Sequence, residues 1–207
     1  IRILADHDGP AIAASNISVS TVGNPDGIRR LGELAAEPGF RRLNLAVSLN
    51  APNDAIRAEI MPVDRAWPMD DLMNAMLGWA GRPKSAICVE YVLIPGVNDG
   101  VQHCDEVCDY LRPLRCSLNV IPYNPRRDSP WPAPTESSVT TFTQRAIANG
   151  QFTKRRGTKG RDVMAACGQL GNPEIRNRRR LPDDSPIAVT IRGDRGIATP
   201  VRTNTSP

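Results

Sequence analysis

Apolar residues recur along this chain in two alternating patterns, one typical of strands and one typical of helices. Four β-rich runs lie at 17–21, 43–49, 86–94 and 117–121, and 152–155 is a candidate fifth strand. Between them, apolar residues three or four positions apart predict helices over 27–37, 54–60, 69–79, 101–111 and, capped by Ser137 or Ser138, up to Ala148. Strands that alternate with helices indicate a parallel sheet covered by helices, in the α/β class.

The number of strands limits the architecture. Four βα units cannot close a barrel of the usual size, so we predict an open, partial barrel whose first strands lie ahead of this chain. The near-continuous apolar run 86–94 indicates a parallel strand buried on both faces. From residue 182 the composition shifts to Pro, Asp, Ser, Thr, Gly and Arg without a period. We therefore predict a folded domain over 1–181 and a disordered tail over 182–207.

Polar side chains follow each of the four strands. In parallel barrels the chemistry lies at the carboxyl ends of the strands, so these residues should converge on one rim. Their hydroxyls and amides would suit an amino-acid head group and a ribose. Ser and Asn are also common turn formers after any strand, and this alternative stays open. The residues are Ser20, Thr21, Ser48, Asn50, Asn98, Asp99, Tyr123 and Asn124.

The five cysteines do not suggest a disulfide framework, because their number is odd and we expect no secretory signal peptide. Cys167 lies among Ala and Gly residues that would let a substrate approach, and basic residues upstream could stabilise its thiolate. The alternative is a buried structural cysteine. Cys104 and Cys108 share one helix face, but the third cysteine of a C-x3-C-x2-C cluster motif would fall at Leu111. We predict that this pair belongs to the helix core, since His103 alone would not complete a zinc site.

The charge distribution permits a nucleic-acid partner. The net charge is +4, and basic residues cluster at 126–127, 154–161 and 176–180. Such clusters either neutralise phosphates or form a solvated face. No apolar run approaches the length of about 18 residues that a membrane span needs. We expect a cytoplasmic protein that is not bound to a membrane.

Six sequence blocks resemble one known family in order and spacing. The resemblance covers about 17–181 and points to the carboxyl-terminal part of the RlmN-type radical S-adenosylmethionine (SAM) methyltransferases, with the C8-specific Cfr type as a close relative. The block around Cys167 is the most telling. The blocks are ISVSTVG (17–23), LAVSLNAPND (45–54), R-x-E-I-M-P (57–62), VEYVLIPGVND (89–99), LNVIPYNP (118–125) and RGTKGRDVMAACGQL (156–170).

The resemblance implies a (β/α)6 partial barrel, similar to a TIM barrel and here truncated at its amino-terminal side, with SAM at the strand ends. It implies that Ser20, the stretch Ser48-Leu49-Asn50 and Asn124 help to hold SAM. Members of the family often have His where this chain has Asn50, which keeps a polar side chain but changes the contact. Cys167 matches the cysteine that becomes S-methylated.

The resemblance also implies an activity. In the family scheme, Cys167 takes a methyl group from one SAM. A [4Fe–4S] cluster reduces a second SAM to a radical, which activates this methyl group for transfer to C2 of an adenine. The adenine lies in 23S rRNA and, in the wider scheme, also in tRNA. Adenine C2 is electron-poor and cannot attack SAM itself, which is why a cysteine is needed. An electron donor such as flavodoxin and a monomeric protein are expected.

The cluster ligands should lie ahead of Ile1, so we expect this chain alone to be inactive and the activity to belong to a longer parent protein. Two alternatives stay open. The chain could come from a C8-specific or divergent RNA methyltransferase, or it could be an inactive fragment that only binds RNA.

Overall fold

A parallel five-stranded sheet forms the centre of the fold. The computed structural model describes residues 1–61, 66–82, 85–125 and 129–157. Each strand pairs in parallel with the next one along the chain, which gives the order β1-β2-β3-β4-β5 and confirms the predicted fold class. The strands are β1 (Ser18–Thr21), β2 (Asn44–Ser48), β3 (Ala86–Leu93), β4 (Ser117–Pro122) and β5 (Thr153–Arg155).

Helices connect the strands close to where the apolar spacing predicts them. The first strand is preceded by a short helix and one 3-10 turn, Ala14–Asn16. Two helices, rather than one, separate β2 from β3, as the sequence pattern indicates. The helices are α1 (Arg2–Ala5), α2 (Pro25–Ala36), α3 (Asp54–Ile60), α4 (Met69–Ala80), α5 (Val101–Leu111) and α6 (Glu136–Ala148).

Side-chain caps define where three of these helices begin. Asn24 accepts a hydrogen bond from the Gly27 amide at the start of α2, and Asn53 accepts one from the Ile56 amide at the start of α3. The expected cap of α6 was wrong by two or three residues. Thr135, not Ser137 or Ser138, caps that helix, since its hydroxyl oxygen accepts from the Ser138 amide at 3.1 Å. Several hydroxyl residues close together can compete for the cap, and local sequence does not rank them.

The hydrophobic core lies between the helices and one face of the sheet. Right-handed connections between strands that follow in order place the connecting helices on the same face. On that face Val47, Val89 and Leu118 lie side by side in the strand register, and all three are fully buried. Tyr91 continues this layer and stacks on Phe142 of α6, with ring centroids 5.2 Å apart. The core is therefore one layer between sheet and helices.

The prediction that the strand at 86–94 is buried on both faces was wrong. Its residues alternate: Val89 and Tyr91 are buried against the helices, whereas Cys88, Glu90 and Val92 are only half-buried on the opposite face. The physical reason is that the connecting helices cover one face only. The sequence does not show this alternation in burial, since Glu90 is the single charged residue of an otherwise mostly apolar run.

Cys104 and Cys108 belong to the hydrophobic core cluster, which confirms their prediction as helix-core residues. No group of three or more His, Cys, Asp or Glu side chains in the described residues could hold a metal ion. Within the part of the chain that the structure describes, no helix is long and apolar enough to cross a membrane. Cys167 and the expected boundary between 181 and 182 lie outside the described residues, and both stay predictions.

An ionic contact joins α5 to α6 and makes the stability of this pair depend on pH. Arg145 donates to both carboxylate oxygens of Asp105 at 2.7 and 2.9 Å and holds the pKa of Asp105 down at about 2. An unfolded Asp titrates near a pKa of about 3.9. The contact therefore contributes stability above that value, and the contribution is lost as the pH falls toward about 2.

We predict that Asp105→Asn is less stable than the wild type at about pH 6 and that the difference shrinks at about pH 2.5, where the wild-type carboxylate also begins to lose its charge. Urea unfolding of both proteins at the two pH values measures this difference. A difference of equal size at both pH values would contradict the prediction.

Candidate functional site

The face of the sheet opposite the helices carries polar side chains in register. A first row runs across four strands through Ser20, Ala46, Cys88 and Ser117. Ser20 is exposed, while Cys88 and Ser117 are half-buried. Burial raises the pKa of the Cys88 thiol, so this group stays protonated near neutral pH. Hydroxyls and a thiol at this place are typical of a face in contact with water or a polar ligand.

A second row lies nearer the carboxyl ends of the strands and is more polar. It contains Ser48, Glu90, Asn119 and Lys154, from four consecutive strands. The Ser48 hydroxyl lies 3.5 Å from one Glu90 carboxylate oxygen, and Arg156 approaches the other at 3.3 Å. Both contacts are long for hydrogen bonds, so they orient the carboxylate only weakly. The row places a hydroxyl, a carboxylate, an amide and an ammonium group along one line.

A buried arginine connects the loops that follow β1 and β2. Arg57 of α3 has no exposed surface. Its Nη2 donates to the Val22 carbonyl oxygen at 2.7 Å, and its Nε donates to the Leu49 carbonyl oxygen at 3.2 Å. Val22 follows β1, and Leu49 follows β2. One guanidinium group thus bridges the two loops next to Ser20 and Ser48.

Asn98 connects the loops that follow β2 and β3 in the same way. Its Nδ2 donates to the carbonyl oxygens of Asn50 at 2.7 Å and Val92 at 2.8 Å, and its Oδ1 accepts from the Ile94 amide at 2.7 Å. The Tyr91 hydroxyl donates to the Asn98 carbonyl oxygen. Burial raises the pKa of Tyr91, so the phenol remains a donor. Asn98 is fully buried, and its side chain organises the loop.

The structure gives the predicted site residues different environments. Ser20 and Ser48 lie on the uncovered face with their hydroxyls accessible or half-buried. The Leu49 side chain is buried in the core, so only its main chain belongs to the rim. Asn50 has a positive φ of 59°, and its Oδ1 accepts from the Val92 amide at 3.0 Å. Asn124 follows β4 and is 6% exposed.

Other strand-end residues named from the sequence serve the loops themselves. Asp99 accepts hydrogen bonds from the Gly96 amide and from the Ser138 hydroxyl. The Thr21 hydroxyl oxygen accepts from the Gly23 amide at 3.1 Å. These contacts are those of turn-forming residues, the alternative that the sequence leaves open.

Comparison with known proteins identifies the family of the chain. No family model matches the chain. A relative from Protochlamydia amoebophila, a probable dual-specificity RNA methyltransferase RlmN 1, is 38% identical over 90% of this chain and 50% of its own length. The dual-specificity RNA methyltransferase RlmN of Syntrophus aciditrophicus is 36% identical over 86% of this chain and 49% of its own length.

Solved structures agree with these relatives. The crystal structure of a radical SAM methyltransferase from Sphaerobacter thermophilus has a TM-score of 0.74 and 38% identity, and the match covers 81% of this chain and 48% of that one. The chain belongs to the RlmN-type radical SAM methyltransferase family. A domain of a pyruvate-formate lyase-activating enzyme from Bacteroides vulgatus, at 16% identity and a TM-score of 0.51, shares the fold alone.

The chain spans about half the length of the curated RlmN relatives it matches. Within this half, three polar side chains on or beside the uncovered face were not assigned a role from the sequence. They are Glu90, Asn119 and Arg57. The alternation of polar and apolar residues over 117–121 could have revealed Asn119, since Leu118 and Val120 face the core. Arg57 has partners 8 and 35 positions away, which no local pattern shows.

We predict that Asn98→Ala lowers the free energy of unfolding by about 3 kcal/mol, because it leaves the buried Ile94 amide without its acceptor and the Asn50 and Val92 carbonyls without this donor. Asn74→Ala, at an exposed position of α4, is the matched control and should change stability by less than about 0.5 kcal/mol. Urea unfolding measures both variants. Equal effects in the two variants would show that the Asn98 contacts contribute little.

Proposed function

We propose that the natural protein methylates C2 of an adenine in 23S rRNA by radical SAM chemistry, with Cys167 as the methyl carrier. The relatives are named as dual-specificity RNA methyltransferases, and the solved structure at 38% identity is that of a radical SAM methyltransferase. The observation that carries the proposal is the row of polar side chains at the strand ends, on the face that no described helix covers, in a chain of this family. A polar face on a parallel sheet needs a ligand or water to satisfy it.

The groups on this face fit SAM. Its amino-acid head and ribose need hydroxyl, carboxylate and amide partners, and Ser20, Ser48, Glu90 and Asn119 offer these. We propose that Ser20, Ser48 and Asn124, with the main chain at Leu49 and Asn50, hold SAM. The contacts of Asn50 suggest that its side chain supports the loop and that its main chain serves the ligand. When bound, SAM supplies a methyl group and, after one-electron reduction, a hydrogen-abstracting radical.

The [4Fe–4S] cluster does not fit the described residues. Cys104 and Cys108 are buried in the helix core, and no other cysteines among the described residues make up a ligand set with them. Such clusters need several cysteine thiolates. We propose that the ligands lie in sequence ahead of these 207 residues and that this chain alone is inactive.

Cys167 would act as a nucleophile. Its thiolate would take the methyl group from the sulfonium of SAM, which would leave as the demethylated thioether, and a methyl thioether would form on the protein. The basic residues that precede Cys167 in the sequence would favour the thiolate. The adenine would have to leave its base stack for its C2 to meet the Cys167 sulfur, as in other enzymes that modify bases.

The carboxyl end of β5 offers positive charge for an RNA substrate. Lys154, Arg155 and Arg156 are exposed there, and Lys154 lies 5.3 Å from the centre of the exposed Phe152 ring. Arg155 also binds Glu136 of α6. Basic side chains beside an exposed aromatic ring are a common arrangement for RNA binding. A tRNA substrate, a flavodoxin-type electron donor, a monomeric state and a cytoplasmic location remain part of this proposal.

We predict that mass spectrometry of the protein from its native cells finds a single added methyl group on the peptide that contains Cys167. The Cys167→Ala variant carries no methyl and no longer modifies RNA, whereas Cys116→Ala, at a half-buried position outside the proposed site, keeps both properties. A Cys167 that stays unmethylated in the active protein would refute its role as carrier.

We predict that the modified nucleoside is 2-methyladenosine. Digestion of 23S rRNA from cells with and without the gene, followed by chromatography and mass spectrometry against 2-methyl and 8-methyl standards, identifies the carbon. Loss of the C8 isomer instead would favour the Cfr-type activity. An unchanged RNA in both strains would favour a fragment that only binds RNA.

A further inference from the structure

Arg57 makes contacts that the packing of α3 does not require. It is a charged side chain with no exposed surface, and burying a guanidinium group is costly unless its donors are satisfied. Two of its donors go to main-chain carbonyl oxygens in different loops, those of Val22 and Leu49. Packing of α3 would need only an apolar residue here. The arginine instead fixes one loop relative to the other.

The two loops are those next to the proposed SAM ligands. Val22 follows Ser20 by two positions, and Leu49 lies directly between Ser48 and Asn50. The distance between the carbonyls is set by the rigid, planar guanidinium group that both of them bind. A lysine at this position has a single nitrogen and loses the fork that spans the two loops.

Gly23 provides the space that this contact needs. Its φ is +102°, and a Cβ atom built there would lie 2.8 Å from Arg57 Nη2, the atom that binds the Val22 carbonyl. A side chain at 23 must therefore displace the guanidinium group or the loop. Arg57 and Gly23 form one unit, and a change at either residue should disturb the same loop.

From these contacts we propose that Arg57 is a positioning residue for SAM, which sets the spacing between the loops after β1 and β2. It does not touch the cofactor and acts through the Val22 and Leu49 main chain. This inference rests on the proposed function, since it takes the strand-end rim to be the SAM site. The inference makes the affinity for SAM depend on Arg57, a residue that lies outside that rim.

The test compares SAM binding with RNA binding in the natural protein at its full length, with its cluster reconstituted. Arg57→Lys should weaken the binding of radiolabelled SAM, measured by equilibrium dialysis, by about tenfold or more. Its affinity for transcribed 23S rRNA should stay within about twofold of the wild type, because RNA binding does not depend on this loop spacing. Arg112→Lys, at an exposed arginine paired with Asp109, is the matched control and should leave both affinities unchanged.

A second variant separates positioning from simple loss of stability. Gly23→Ala should weaken SAM binding by a similar factor, and the double variant should bind SAM no more weakly than the weaker single variant, since both changes disrupt one contact. Val107→Ala, in the core of α5, provides a destabilised control. At a temperature where all variants are folded by circular dichroism, it should bind SAM normally.

The results that would contradict the positioning role differ from those that would contradict the proposed function. SAM binding by Arg57→Lys within about twofold of the wild type, additive losses in the double variant, or an equal loss in Val107→Ala would each overturn the positioning role while the proposed function stands. A wild-type protein that binds no SAM would overturn both. Parallel losses of SAM and RNA affinity in Arg57→Lys would show a general structural role instead.

Discussion

In the part of the chain that the structure describes, helices cover one face of the sheet only, and the rest of this part follows from that constraint. Strands that pair in chain order and connect with the right-handed crossing place α2 to α6 on the same side. The side chains on that face, Val47, Val89 and Leu118 among them, form the core. The opposite face receives the alternate residues, and most of these are polar in both rows, with Ala46 as an exception. A fold that uses half of its sheet for stability leaves the other half for a ligand.

An open face of this kind creates a problem at the strand ends. Just beyond β2, the Leu49 and Asn50 amides still donate to the Glu90 carbonyl oxygen, at 3.0 and 3.3 Å, and the loops there must keep a fixed arrangement. Buried polar side chains add further links, because Arg57 joins the first two loops and Asn98 joins the second and third. Arg57 and Asn98 each bind main-chain carbonyl oxygens. A substitution of the residue that carries such a carbonyl changes its side chain and leaves the carbonyl in place. The rim can therefore vary its side chains while its backbone stays in place.

The sequence was sufficient for the order of the strands and helices. Strand and helix periods are local, so the alternation of β and α was correct, and polar residues after strands pointed to Ser20 and Ser48, whose role as SAM ligands stays a prediction. What it missed depends on contacts between distant positions. Glu90 lies in a run that looks uniformly buried, Arg57 binds a group 35 positions away, and the sequence pointed to Asn98 without showing that it binds a carbonyl oxygen 48 positions away. The pattern marks such residues as polar, but only the fold shows what they join.

The use of a charged residue at the centre of this arrangement has a physical reason. An apolar side chain at position 57 would avoid the cost of burying a charge, and replacements of buried ionic groups by apolar ones are often stabilising. An apolar side chain, however, has no directional preference and tolerates several loop spacings. The guanidinium group donates to carbonyl oxygens of two loops and therefore favours one spacing between them. Gly23, held at a positive φ directly beside it, keeps the space open for that geometry. In the positioning role that we propose for Arg57, the cost of burying its charge is offset by a defined distance between two loops, which a site assembled from separate strands requires.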